Sequence, residues 1–105
     1  MADFVARVEL HGVKHDSAIY DLLHDAMEER GFSRDIRGKN GTYEMPHATY
    51  DYEGTDSLDV VLAKAVAACA AVGYTPWTTD SSATAKTCGV IVVEGTPRWR
   101  GLKKK

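Results

Sequence analysis

No stretch of this 105-residue chain approaches the run of ~18 apolar residues needed to cross a bilayer. The opening Met1-Ala2-Asp3-Phe4 lacks the basic and apolar regions of a secretion leader, so the expected setting is soluble and cytoplasmic, with no membrane partner. Cysteine is scarce: Cys69 and Cys88 stand alone, without a CxxC spacing, which argues against a zinc site and suits two small buried hydrophobes. There is no Walker loop, no GxGxxG, no nucleophile elbow and no paired-carboxylate spacing, and hence no sign of a cofactor. A Lys/Arg-Gly-Phe run of the kind found in RNA-recognition modules is also missing.

What is present is enough apolar material, 44% of residues, for a single core. The net charge of −2 hides a segregation: residues 1–95 sum to −7 and the last ten to +5. An acidic body disfavours indiscriminate attraction to nucleic acid, while a basic end can touch phosphates. The expected organisation is one domain over 1–95 followed by a basic, solvated C-terminal tail over 96–105.

Phe4, Ala6, Val8 and Leu10 alternate with polar or exposed positions, the period of a half-buried strand. Ile19, Leu22, Leu23, Ala26 and Met27 then fall on one helical face, with Asp16 or Ser17 as cap and Gly31 as terminator. A short charged strand over about 33–37 leads to Asn40-Gly41, a tight-turn signal, and Thr42 to Met45 returns as its partner. Pro46 interrupts, and 48–53 resumes as strand with Tyr50 and Tyr52 on one face. A second helix runs from about Thr55–Ser57 to Val72, with Leu58, Val61, Leu62, Ala65, Cys69 and Val72 on its apolar side. The continuous apolar run from Thr87 to Val93 suggests a central strand. Between Gly73 and Lys86 a polar loop leaves room for a short extra hairpin pairing Trp77 with Thr87. Strand, helix, strand, strand, helix, strand predicts an α+β, ferredoxin-like βαββαβ fold, with two helices on one face of a four-stranded antiparallel sheet.

Imidazoles pass protons near neutral pH, as cleavage of RNA by its own 2′-hydroxyl requires. His11 and His15 flank the loop after the first strand and, with Asp35, are the catalytic candidates; no spacing marks a metal site. His24 is placed on the polar side of the first helix, and His47 beside Pro46 faces either sheet or solvent. Arg34 and Arg37 are candidate phosphate contacts, because guanidinium grips phosphate through paired hydrogen bonds. Charge protecting a sheet edge is the plainer reading of the same pair. Tyr50 is a candidate for base stacking beside its other reading as packing, and Arg98-Trp99-Arg100 either touches RNA or pins the C-terminus.

Val8-Glu9-Leu10-His11, Leu23 to Glu28, Gly31-Phe32-Ser33-Arg34, the Tyr43 to Pro46 step, Ala48 with Tyr50, and Val92-Val93-Glu94 leading to Trp99 together resemble GhoS-type small bacterial proteins. The resemblance spans most of the chain apart from Gly73 to Lys86 and the final lysines. It implies a ferredoxin-like scaffold similar to the Cas2 nucleases, in an antitoxin of a type V toxin-antitoxin pair that cleaves the toxin's messenger RNA. It carries Arg34, and with it Arg37, as RNA contacts, and assigns no catalytic residue.

Two functions from different classes follow. One is an RNA-binding antitoxin or endoribonuclease; the other is a non-catalytic acidic module of a phage or mobile element that binds a host protein. A homodimer joined through sheet edges is a third, plainer outcome.

Overall fold

In the computed structural model, which describes residues 2–105, strand β1 (Ala2–Leu10) follows its alternating pattern: Phe4, Ala6, Val8 and Leu10 are buried, while Arg7 and Glu9 stay exposed. Helix α1 (Ala18–Glu28) starts where the Ser17 side chain accepts the Ile19 N–H at 3.3 Å. It ends through Gly31, whose φ of 93° lets the Phe32 N–H reach back to the Met27 carbonyl at 3.1 Å. A Cβ on Gly31 would also lie 3.2 Å from the Tyr52 ring, so both backbone and space call for glycine there.

The buried face of α1 is Tyr20, Leu23, His24, Ala26 and Met27. Leu22, expected inside, is 54% exposed, and His24, expected on the polar side, is buried. The face is rotated because the polar atoms of Tyr20 and His24 find partners inside, which removes the cost of burying them. Helix α2 (Leu58–Ala71) is capped by Ser57, whose hydroxyl accepts the Val60 N–H, and buries Val61, Ala65, Ala68 and Cys69. Its small residues allow close packing, and Leu58 and Leu62 point outward instead of in.

The expected all-antiparallel ferredoxin-like sheet is not what forms. With β2 (Asp35–Gly38), β3 (Gly41–Glu44), β4 (Thr49–Gly54), β5 (Thr75–Pro76) and β6 (Thr87–Glu94), the main sheet has the order β4-β1-β6-β5. Strands β4 and β6 run antiparallel to β1, but β5 joins β6 in parallel, through Thr75 and Trp77 N–H groups donating at 3.1 Å to the carbonyls of Lys86 and Cys88. The extra pairing near Trp77 therefore exists, as a parallel contact and not a hairpin. The β2–β3 hairpin forms a separate two-stranded sheet, tied to β4 by the isolated Ser33–Asp51 bridge with both N–H···O bonds at 2.8 Å. Its two-residue turn is Lys39-Asn40, one position earlier than the Asn-Gly pair suggests.

Both helices cover the same face of the main sheet, where Phe4, Tyr20, Leu23, Tyr50, Val61 and Cys69 share one core. Each large apolar side chain sealed there contributes about 1.5–3 kcal/mol relative to exposure. The other face is open: Ile91 and Val93 of β6 are more than half exposed, so the apolar run marks a strand in the middle of the sheet and not one covered on both sides. The C-terminus is not a free tail. Lys104 bridges Tyr43, the Lys103 carbonyl accepts the Glu44 N–H, and the Lys105 N–H donates to the Thr42 carbonyl, so the last residues lie along β3. Among the described residues no helix is long and apolar enough to cross a membrane.

Candidate active site

At the end of β1 the Leu10 N–H donates to the Tyr20 hydroxyl at 2.9 Å, which locks α1 against the strand end and fixes the loop between them. Around this anchor three histidines from distant parts of the chain converge. His15, from the loop, stacks on His47 with ring centroids 4.4 Å apart and planes 25° from parallel. His24, one helical turn beyond Tyr20, has its ring 6.0 Å from that of His47 and its Nδ1 2.7 Å from the Tyr50 hydroxyl. Tyr20 closes the group edge-on, 4.6 Å from the His47 ring.

His47 is presented by a strained turn. Ala48, which follows it, has φ of 52°, and among the described residues no other non-glycine residue has positive φ. Such a conformation costs an alanine about 1–2 kcal/mol. It is held by the Val8 N–H on the Ala48 carbonyl and the Thr49 N–H on the Pro46 carbonyl, both at 3.0 Å. The His47 Nε2 is also buried without a hydrogen-bond partner. Two local costs at one turn are characteristic of positions kept for what they do.

Electrostatics sharpen the arrangement. Burial, with the Arg34 and His47 charges next, lowers the His24 pKa below the usual 6.5. Burial, then His15, Arg34 and Arg7, lowers that of His47 in the same way. Both imidazoles are thus neutral at neutral pH and able to accept a proton. The stacked His15 ring is thus one of the groups that keep His47 neutral. Burial also drives the Tyr50 phenol upward, so it stays protonated and can donate to His24 Nδ1.

Arg34 is exposed, and it forms no ion pair among the described residues. It lines a groove of about 400 Å³ with Glu28, Phe32, Ser33, Asp35, Met45 and others. The same groove carries Glu44 and Lys105, so its charge is mixed, and the unpaired Arg34 guanidinium, whose charge reaches His24 and His47, is the group there suited to a phosphate.

The sequence candidates divide. His15 and Arg34 belong to this cluster; His11 lines a neighbouring groove with His15 and Tyr20 but is outside the stacked group, its Nδ1 lying 2.9 Å from Thr87 Oγ1 and its Nε2 3.6 Å from Glu9. Asp35 is held by Lys105 Nζ at 2.9 Å, which ties up its carboxylate in an ion pair. Arg37 lines a different groove, with Asp51 and Glu53. Tyr50 is fully buried, so its ring has no surface to offer a base. Trp99 packs on the hairpin, 5.8 Å from the Tyr43 ring, with Arg98 and Arg100 exposed on either side. His24 and His47 are the members the sequence did not single out. The available signal was weak: Tyr20 and His24 at i, i+4, and a histidine directly after the strand-breaking Pro46.

Compared with protein-family models, curated proteins and solved structures, the chain matches none.

Proposed function

We propose that the protein binds RNA and cleaves it at the histidine cluster, and that its substrate is a toxin messenger, as the GhoS-type resemblance implies. The observation that carries this reading is the stacked His15–His47 pair beside Arg34, on a turn that retains backbone strain. In the proposed reaction the 2′-hydroxyl attacks the adjacent phosphorus and its proton passes to neutral His47. The bond from phosphorus to the 5′-oxygen breaks, and that oxygen takes a proton from His15, leaving a 2′,3′-cyclic phosphate and a 5′-hydroxyl. Docking of RNA displaces the exposed His15 ring from the stack, so that the two imidazoles address opposite sides of the phosphate. Arg34 grips the non-bridging oxygens as their charge grows. Tyr50 and His24 position the pair from behind without touching substrate.

Purified protein incubated with messenger RNA containing the toxin transcript should produce cyclic-phosphate ends. His47→Gln and His15→Gln should each slow cleavage about 100-fold or more, and Arg34→Ala should weaken RNA binding about tenfold or more in a folded protein. RNA left intact at every pH tried, or cleavage undiminished in His47→Gln, rules the reading out.

A protein-binding role has one observation in its favour. Beyond Cys88 the outer edge of β6 is not covered by the two-residue β5, and Ile91 and Val93 stand exposed on the open face beside that edge. On that reading a second copy or a foreign strand adds to β6, and Ile91→Lys abolishes the complex. Light scattering that returns only the monomer mass, alone and with host lysate fractions, removes it.

A further inference from the structure

On the face of the main sheet opposite the helices, away from the histidines, three carboxylates gather without an ion-pair partner among the described residues. The β1–β4 register sets Asp3 directly opposite Glu53 and Val5 opposite Asp51, which places Asp3, Asp51 and Glu53 side by side on the face away from the helices. Oxygens of all three lie within 4.8 Å of one another. None of the three makes an ion pair with Lys, Arg or His among the described residues. Like charges directly opposite each other on paired strands are destabilising, so the arrangement is costly as it stands.

Asp51 makes the point sharper. Its side chain is only 7% exposed, yet its Oδ1, like Asp3 Oδ1, is buried with no hydrogen-bond partner. The backbone there is firmly set, since Asp51 exchanges both main-chain hydrogen bonds with Ser33 at 2.8 Å.

We propose that Asp3, Asp51 and Glu53 form a binding site for a hard divalent cation: Mg²⁺, Mn²⁺ or Ca²⁺. Such ions take carboxylate oxygens at about 2.0–2.6 Å, so oxygens up to roughly 4.8 Å apart can share one centre. An all-oxygen set of carboxyl donors suits these ions over zinc or copper. The cation supplies the missing partner for Asp51 Oδ1 and relieves the repulsion between the strands. Its remaining positions face a groove of about 390 Å³ lined also by Gly31, Ser33, Asp35, Arg37 and Thr42, open to water or an anionic group that Arg37 can meet. The site is separate from the histidine cluster, so it stands or falls independently of RNA cleavage.

The test is calorimetric titration of the chelator-treated 105-residue chain with MnCl₂, MgCl₂ and CaCl₂, together with water-proton relaxation for bound Mn²⁺. One saturable site per chain is expected, with a dissociation constant on the order of 0.1–1 mM or tighter. Glu53→Gln and Asp3→Asn, both at positions with solvent access, should each weaken binding at least about tenfold, while Asp80→Asn in the distant loop leaves it unchanged. Circular dichroism checks that each variant folds. Saturable binding lost in both variants supports the site. No saturable binding to the wild-type protein, or affinity untouched by both substitutions, overturns it.

Discussion

The Tyr50 hydroxyl lies 2.7 Å from His24 Nδ1, a contact sealed inside the molecule between the edge strand β4 and helix α1. It joins the core to the candidate site, because the same histidine faces His47 on its other side. Packing of α1 against the sheet and placement of the three imidazoles are therefore one structural event. A helix rotated to bury Leu22 would carry His24 out of the cluster.

Tyr50→Phe removes the hydroxyl and keeps the ring, leaving His24 Nδ1 buried with nothing to meet it. The expected loss is about 1–3 kcal/mol of folding stability, measured by urea denaturation. A double-mutant cycle with His24→Leu should return a large part of that loss, because the orphaned nitrogen is then gone. Purely additive losses would show that the two side chains do not act as a pair.

The lowered pKa of His24 makes stability depend on pH in a defined direction. The unfolded chain takes up a proton near the ordinary 6.5, whereas the folded protein resists it, because of burial and then Arg34 and His47, against the weaker opposing pull of Asp21 and Asp25. Stability from this group is thus complete above 6.5 and is lost as pH falls toward and through the lower folded value. Asp51, with a carboxyl raised to about 7, pushes the wild-type curve the opposite way over the acidic range. The informative quantity is therefore the difference between wild type and His24→Gln, followed by chemical denaturation from neutral to acidic pH. The wild-type advantage should shrink on acidification; an advantage that grows would contradict the burial argument.

Local signals were legible wherever a residue's neighbours in sequence decide its structure. Ser17 and Ser57 cap the helices, Gly31 and Gly73 lie just past their ends, and the alternation of Phe4 to Leu10 places β1. The first and last long strands do occupy the two inner positions of the main sheet. What escaped depends on contacts made across the fold. The departure of the β2–β3 hairpin into its own sheet and the parallel docking of Thr75–Pro76 on β6 leave no periodic trace. His24 looks like a surface residue until Tyr50, from a strand 26 residues later, supplies its partner. His47 meets His15 only because the turn after β3 folds back over the end of β1. Asp3 and Asp51 likewise become neighbours only through the β1–β4 register.

The contact between Trp99 and Gly38 tests how the C-terminus is held. A Cβ at Gly38 would fall 2.6 Å from the Trp99 ring and 3.1 Å from that of Tyr43. Gly38→Ala should therefore push the indole off the hairpin and cost about 1–3 kcal/mol, as overpacking does. The expected readouts are a red-shifted tryptophan emission and faster proteolysis after residue 95. In a Trp99→Ala background the same substitution should cost much less. An unshifted emission in Gly38→Ala would mean that the indole does not rest on this glycine.

Ala48→Gly separates the strain at His47 from its use. Glycine adopts the φ of 52° without the Cβ conflict, so relief of about 1–2 kcal/mol competes with the extra chain entropy of glycine, about 0.5–1 kcal/mol. The Ala48 side chain is buried, and losing one methyl subtracts about 0.8 kcal/mol more, so the net change should be close to zero. The turn becomes freer to move at the same time, and His47 should spend less time stacked on His15. RNA cleavage is expected to fall several-fold while stability stays within about 1 kcal/mol, the pattern of a position that serves the placement of a reacting group. Stability lowered by more than about 1 kcal/mol would mean that the alanine is kept for packing instead. Unchanged cleavage by a protein shown to be active would detach the strained turn from the chemistry and leave His15 and Arg34 to explain it.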